Sequence, residues 1–165
     1  MELPGSRVIN GLGVFAAISS MLFAFLFLQH HLGLEPCPLC IVDRLLITTL
    51  GCIFLVALIH NPSTIGSRLY GALASIVALL GVAVCWRHIW LQNLPEDLVP
   101  SCGPGLDYML ETLPIADTFK IVFTASGECA DTQWQFIGLS IPEQTFMVFS
   151  GFLLLGLIQL LRKKD

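Results

Sequence analysis

The fold of this chain is decided by a short polar segment between two long apolar runs, residues 30–44, HHLGLEPCPLCIVDR. The segment contains Cys37 and Cys40, spaced as Cys-x-x-Cys, and Asp43 and Arg44 follow directly. Such a cysteine pair is a redox or a metal-binding device. Because apolar runs flank it, we expect the pair at a membrane boundary, where it can meet both a soluble protein and a molecule dissolved in lipid.

The composition is that of a membrane protein. Of the 165 residues 55% are hydrophobic and 12% are charged, whereas soluble domains carry about 25% charged residues. A helix needs about 20 apolar residues to cross a bilayer, and four runs are long enough, at about residues 8–29, 41–59, 69–91 and 143–161. The first run exceeds the apolar region of a signal peptide, about 7–15 residues, so we interpret it as a retained helix.

The connections between these runs predict the architecture. Short links between consecutive spans favour antiparallel neighbours. We therefore predict an all-α membrane protein, a single domain over residues 1–165 that forms a four-transmembrane-helix antiparallel bundle. One loop, residues 92–142, is long and is expected to be mostly irregular.

Basic residues predict the orientation. Arg7, Arg68 and the tail Arg162-Lys163-Lys164 fall on one side of a four-span arrangement. The positive-inside rule therefore puts both termini in the cytoplasm and the loops at about residues 30–40 and 92–142 outside. Four cysteines then face outward: Cys37, Cys40, Cys102 and Cys129. The net charge of −4 gives no indication of nucleic-acid binding.

The outward cysteines fall into two pairs along the chain. A bridge between Cys37 and Cys40 closes almost no loop and adds little stability, so we interpret this pair as redox-active. A bridge between Cys102 and Cys129 would contribute about 3–4 kcal/mol by chain entropy, which suits either a structural or a redox role. Four cysteines allow three connectivities, and the residues alone leave them open. Two further cysteines lie inside spans and receive no role: Cys52 and Cys85.

The surroundings of Cys40 favour a reactive thiolate. We expect Cys40 at the start of the second helix, where free backbone N–H groups and the helix dipole stabilise negative charge. Arg44 follows four residues later and shares a helical face with it. A nearby cation stabilises the thiolate, which is the reactive form of cysteine. The alternative is that Arg44 only anchors the span at the interface.

Metal binding is the rival interpretation of the Cys-x-x-Cys pair. Zinc sites generally combine four Cys or His ligands at recognisable spacings. His30 and His31 are close in sequence, but Cys102 and Cys129 each lack a second ligand nearby. A haem attachment motif would need histidine at position 41, which is Ile41. We therefore favour redox chemistry over metal binding and assign no residue to a metal site.

Taken together, these motifs resemble the DsbB family, the bacterial inner-membrane disulfide bond formation proteins that are the oxidoreductase partners of DsbA. The similarity covers nearly the whole chain, in order. It rests on Gln29-His30, Pro36-Cys37-Pro38-Leu39-Cys40, Asp43-Arg44, His88, Cys102, Ala125-Ser126-Gly127-Glu128-Cys129-Ala130, Gln133-Trp134 and Gly138-Leu139. The chain departs from a well-known relative around Ile141, where that relative has a methionine.

The resemblance implies an electron relay. Cys102/Cys129 would accept electrons from a reduced, thioredoxin-fold, DsbA-like protein in the periplasm, and Cys37/Cys40 would reoxidise that pair. A membrane quinone, ubiquinone or under anaerobic conditions menaquinone, would reoxidise Cys37/Cys40, with Cys40 facing it. The resemblance adds two residues to the quinone site: Arg44 and His88.

Two alternatives stay open at this point. A reductive quinone-linked protein like the vitamin K epoxide reductase family would share a four-helix core, but a fused thioredoxin-like domain is missing and the outer-loop motifs differ. A non-catalytic metal-binding or transport protein is the other alternative. The few charges inside the spans disfavour transport.

Overall fold

A computed structural model describes residues 5–100, 114, 117 and 127–162 of the chain. It contains four long helices: α1, Ser6–Leu22, which continues as a π-helix, Phe23–His31; α2, Pro38–His60; α3, Thr64–Gln92; and α4, Ile141–Leu161. Each of the four segments is long and apolar enough to cross a bilayer. The predicted all-α, four-helix membrane fold is confirmed.

The helix starts differ from the predicted ones for local reasons. The second helix begins at Pro38 rather than near residue 41, because proline fits the first helical turn, where its missing N–H costs nothing. It ends at His60, and the following Asn61 adopts the left-handed conformation common after helices (φ 43°). The third helix follows at Thr64, directly after Ser63, so the connection between α2 and α3 is shorter than the hydropathy pattern predicts.

The bundle is held together by close helix contacts. Helices α3 and α4 pack most extensively, followed by α1 with α2 and α2 with α3. Gly71 on α3 faces Gly156 on α4 so closely that a Cβ on Gly71 would lie 2.8 Å from the Gly156 carbonyl oxygen. Small residues permit such backbone approach in membranes. In the centre, the rings of Phe54 and Phe152 stack with centroids 5.9 Å apart.

The described part of the long outer loop is folded against the bundle. It includes two short 3₁₀ helices, Glu96–Leu98 and Gly127–Cys129, and a hairpin of β1, Gln135–Phe136, with β2, Leu139–Ser140. The hairpin turns through Ile137 and Gly138, both with positive φ, as a two-residue turn requires. The loop sequence also predicts an amphipathic turn at residues 108–113 and a brief extended piece at residues 121–124. Both segments, and Cys102, lie outside the described residues.

Polar contacts distinguish the two ends of the bundle. At the end opposite to Cys37, the Arg68 guanidinium donates two hydrogen bonds, of 3.0 and 2.7 Å, to the carbonyl oxygen of Arg162. Deeper in the same half, the buried amide of Gln159 donates to the side-chain oxygen of Asn10 and links α4 to α1. Arg68 and Arg162 therefore lie at the end opposite to the cysteine pair.

Candidate functional site

Cys37 occupies the N-cap of α2. Its backbone is extended, and its sulfur accepts a hydrogen bond from the Cys40 amide N–H at 3.3 Å. The Cys37 and Cys40 sulfurs lie 2.7 Å apart, with Pro38 starting the helix between them. The sequence places Cys40 at the positive end of the helix, but it is the Cys37 sulfur that receives the amide of the first turn.

Two residues distant in sequence converge on Cys37. His88, near the end of α3, brings Nε2 to 3.8 Å from the Cys37 sulfur. Cys129 ends the 3₁₀ helix of the outer loop, and its sulfur, the Cys37 sulfur and a ring nitrogen of His88 all lie within 4.8 Å of one another. All three side chains are buried. We call Cys37, Cys40, His88 and Cys129 the sulfur cluster.

The sulfur cluster changes the acidity of Cys37. The neighbouring Cys129 and Cys40 side chains, together with burial, raise the pKa of the Cys37 thiol above its usual range. Reduced Cys37 therefore keeps its proton at neutral pH. Since the thiolate is the nucleophile, Cys37 is better suited to be attacked within a disulfide than to attack.

An apolar cavity of about 330 Å³ adjoins the sulfur cluster. Its lining is contributed by the first helix and its π-helical extension, by α2 and by α4. The polar groups that reach it include Cys40, Asp43, Arg44 and His88. A second, much smaller space of about 20 Å³ is lined by all four members of the sulfur cluster. Cys40 and His88 thus border both spaces.

Arg44 is held in the cavity wall by the π-helix. Its guanidinium donates to the side-chain oxygen of Gln29 at 2.8 Å and to the carbonyl oxygen of Ala24 at 3.5 Å. The guanidinium carbon also lies 4.8 Å from the centroid of the Phe25 ring, a cation–π distance. Arg44 and Cys40 therefore line the same cavity, but the polar partners of Arg44 lie on the π-helix.

Asp43 has a partner to which the sequence assigns no role. The carboxyl is buried, lines the cavity, and accepts a hydrogen bond from the Cys85 thiol at 3.7 Å. The one signal that could have identified Cys85 is its position three residues before His88, which puts both on one helical face. Cys52, by contrast, is exposed on the bundle surface.

Five of the six residues expected at the site are therefore brought to one end of the bundle, and the sixth, Cys102, lies outside the described residues. The buried donors and the adjoining apolar cavity can support thiol–disulfide exchange next to a bound apolar molecule. No signal in the sequence identifies the π-helix or the Arg44 contacts that it provides.

Comparison with known proteins gives a consistent result. A family model described as "Disulfide bond formation protein DsbB" matches residues 6–159. The chain is 46% identical over 162 residues to disulfide bond formation protein B of Saccharophagus degradans, covering 98% of this chain and 97% of the relative. It is 48% identical over 158 residues to the protein of that name from Acinetobacter baylyi, covering 95% and 92% of the two chains. A Methylococcus capsulatus relative is 42% identical, with 96% of each chain covered.

Proposed function

The chain belongs to the DsbB family of disulfide bond formation proteins, and on this premise we propose that it reoxidises a periplasmic DsbA-like dithiol protein and passes the electrons to a membrane quinone. Family membership makes the chain a multi-pass inner-membrane oxidoreductase. The observation that supports this electron route is the position of Cys40 and His88. Both belong to the sulfur cluster and both also line the apolar cavity.

The first step is exchange with the partner. A thiolate of the reduced partner attacks Cys102 of a Cys102–Cys129 disulfide, forms a mixed disulfide and releases Cys129 as the thiolate. The second partner thiol then attacks the mixed disulfide, so the partner leaves oxidised and both loop cysteines are reduced. The burial of Cys129 supports Cys102 as the member of this pair that meets the partner.

The second step moves the electrons toward the cavity. The Cys129 thiolate attacks Cys37 of the Cys37–Cys40 disulfide, which joins Cys129 to Cys37 and releases Cys40 as the thiolate. Cys102 then attacks Cys129, restores the loop disulfide and leaves Cys37 reduced. The approach of the Cys129 and Cys37 sulfurs to within 4.8 Å supports this route. His88, 3.8 Å from the Cys37 sulfur, is placed to exchange the Cys37 proton.

The residues around the larger cavity fit a quinone ring. Its volume of about 330 Å³ lies within the range of small-molecule sites, about 300–1,000 Å³, and its walls are mainly apolar. Cys40, Arg44 and His88 would hold the ring, with Arg44 donating to a carbonyl oxygen. A bound quinone, ubiquinone or menaquinone, supplies a two-electron, two-proton acceptor. Cys40 would be the sulfur that faces the quinone and donates the electrons, and Cys37 and Cys40 would return to the disulfide form.

We also propose an orientation for the chain in the membrane. With both termini in the cytoplasm, the sulfur cluster lies at the periplasmic boundary, where disulfides form and persist. Separation of the cysteines from Arg68 and Arg162, which lie at the opposite end, supports this orientation.

Cysteine variants test the relay. Quinone reduction by a reduced DsbA-like partner is followed by absorbance with purified full-length protein. We expect Cys37→Ser and Cys40→Ser to abolish turnover with every dithiol donor. Cys102→Ser should block the partner protein but leave slow reduction by a small dithiol. Cys52→Ser, which alters an exposed cysteine, serves as the control and should keep full activity.

Two results of the same assay would contradict the proposed relay. Turnover that survives in Cys40→Ser would exclude the proposed route through the cavity. Equal loss of partner and small-dithiol activity in Cys102→Ser would show that the loop pair does not act as a separate entry point.

A further inference from the structure

The sulfur cluster resembles a metal-ligand set in its geometry. The Cys37 sulfur, the Cys129 sulfur and a ring nitrogen of His88 lie within 4.8 Å of one another, and all three side chains are less than a tenth exposed. The Cys40 sulfur, 2.7 Å from that of Cys37, adds a fourth donor. Three cysteines with one histidine are a known tetrahedral zinc set.

A separate observation points to a ligand at this position. A space of about 20 Å³ is bordered by the four donor residues and by six others: Gln92, Asp131, Gln133, Trp134, Ile141 and Pro142. One water-sized particle needs at least about 10–15 Å³. The space is therefore large enough for a single ion or water molecule and too small for an organic ligand.

The spacing of the donors needs little adjustment. With Zn–S of about 2.3 Å and Zn–N of about 2.0–2.1 Å, tetrahedral ligands lie about 3.8 Å apart for two sulfurs and about 3.6 Å for sulfur and nitrogen. The Cys37 sulfur and His88 Nε2 are already 3.8 Å apart. The Cys129 sulfur would approach by no more than about 1 Å. The Cys40 sulfur, now 2.7 Å from that of Cys37, would move about 1 Å away from it.

We propose that the reduced protein binds one thiophilic cation of the Zn²⁺ type in the sulfur cluster, through Cys37, His88 and Cys129, with Cys40 as the fourth ligand. Up to three thiol protons are released on binding, because thiolates are the ligands. Any disulfide among these cysteines removes two ligands, so binding depends on the redox state. A bound cation also occupies the sulfurs that exchange disulfides and therefore acts as a reversible inhibitor.

Direct metal titration tests this inference. Fully reduced, full-length protein in detergent is titrated with Zn²⁺ under anaerobic conditions, in competition with a chromophoric chelator. We expect one Zn²⁺ per chain, bound at least about tenfold more tightly than by the oxidised protein, because oxidation removes direct ligands and even the loss of an outer partner costs about 10–100-fold in affinity. Co²⁺ as a second probe should give the visible absorption of tetrahedral thiolate coordination.

Variants identify the ligands. Cys129→Ser and His88→Ala should each weaken Zn²⁺ binding at least about tenfold, while Cys52→Ser, with an exposed cysteine outside the sulfur cluster, should bind like the unaltered protein. Equal affinity of the oxidised and reduced proteins, or unchanged affinity in both ligand variants, would overturn the inference. The titration does not depend on quinone reduction, so Zn²⁺ binding without quinone turnover would contradict only the proposed function.

Discussion

At the residue scale, Cys37 and Cys40 have different surroundings although they are three positions apart. Cys37 is buried between His88 and Cys129, and its sulfur accepts the amide N–H of Cys40. Cys40 is less buried and borders the larger cavity together with Arg44. This asymmetry suits the proposed relay, in which Cys37 exchanges disulfides with Cys129 and Cys40 passes electrons to a molecule bound in the cavity.

The raised pKa of Cys37 gives a prediction about pH. Because the folded reduced protein holds this proton more tightly than the unfolded chain does, the stabilising contribution is complete below the ordinary cysteine pKa of about 8.5 and is lost as the pH rises above it. Reduced protein should therefore lose stability at alkaline pH relative to oxidised protein. Thermal unfolding of both forms between neutral and alkaline pH measures the difference.

A variant isolates the cause of this shift. The Cys129 side chain makes the largest contribution to the raised pKa, so Cys129→Ala should move the pH midpoint of Cys37 alkylation downward. Peptide mass spectrometry after pulse alkylation reports the midpoint, and Cys52→Ser is the matched control. An unmoved midpoint in Cys129→Ala would show that the Cys129 thiol does not control the acidity of Cys37.

Arg44 supports a prediction about quinone use. Hydrogen bonds to charged groups contribute about 1.5–3 kcal/mol, so we expect Arg44→Ala to raise the KM for quinone about 10- to 100-fold. Disulfide exchange with the partner, measured in a single turnover without quinone, should change little. Quinone kinetics like those of the unaltered protein would show that Arg44 is only an interfacial anchor.

At the scale of elements, the π-helix after α1 determines what Arg44 can contact. Residues five apart lie about 140° apart around an α-helix, so the Gln29 side chain would lie on a different side of the helix from Ala24. The i→i+5 pattern of a π-helix brings them to neighbouring positions, where both accept hydrogen bonds from one guanidinium. The π-helix therefore positions the Arg44 side chain of α2.

The contribution of this segment is testable at Gln29. Loss of one hydrogen bond to a charged group that retains its other partners should cost less than loss of the arginine itself. We expect Gln29→Ala to raise the KM for quinone about 3- to 10-fold, or about 0.7–1.4 kcal/mol, with kcat unchanged, because the guanidinium itself remains and keeps its contact with Ala24. Leu26→Ala, at an exposed position of the same π-helix, is the control. If Leu26→Ala raised the KM for quinone more than Gln29→Ala did, the contact between Gln29 and Arg44 would not be what positions the arginine.

At the scale of the whole molecule, the antiparallel bundle determines which residues meet. Because α3 runs opposite to α2, its last turn returns His88 to the end at which α2 begins. The described residues 127–140 of the long loop fold over the same end and bring Cys129 close to Cys37. The ring of Trp134 further fixes this loop by an edge contact with Phe27 of the π-helix, with centroids 5.7 Å apart.

The packing of α3 on α4 gives a prediction about stability. A Cβ at position 71 would lie 2.8 Å from backbone atoms of α4, and overpacking usually costs about 1–3 kcal/mol. We expect Gly71→Ala to lower the free energy of unfolding by that amount. Gly151→Ala is the matched control, because a Cβ there meets nothing within 4 Å. Unfolding in mixed micelles compares the two, and equal stability would contradict the close contact.

Some features of the whole molecule can be predicted from the sequence and others cannot. The membrane class, the four spans and the helical face shared by Cys40 and Arg44 follow from local composition and spacing. The start of α3 was predicted late because its first turn, near Thr64, is polar although it is helical. Hydropathy detects the apolar part of a helix and misses such turns.

The sequence by itself determined that this protein crosses the membrane four times and carries a Cys-x-x-Cys pair at the boundary, because both properties depend on neighbouring residues. The tertiary structure alone decided that Cys37 is enclosed by His88 and Cys129, that Cys85 binds Asp43, and that a π-helix holds Arg44. These contacts join residues from 15 to more than 40 positions apart. Their distances are set by the packing of whole helices, which local patterns do not encode.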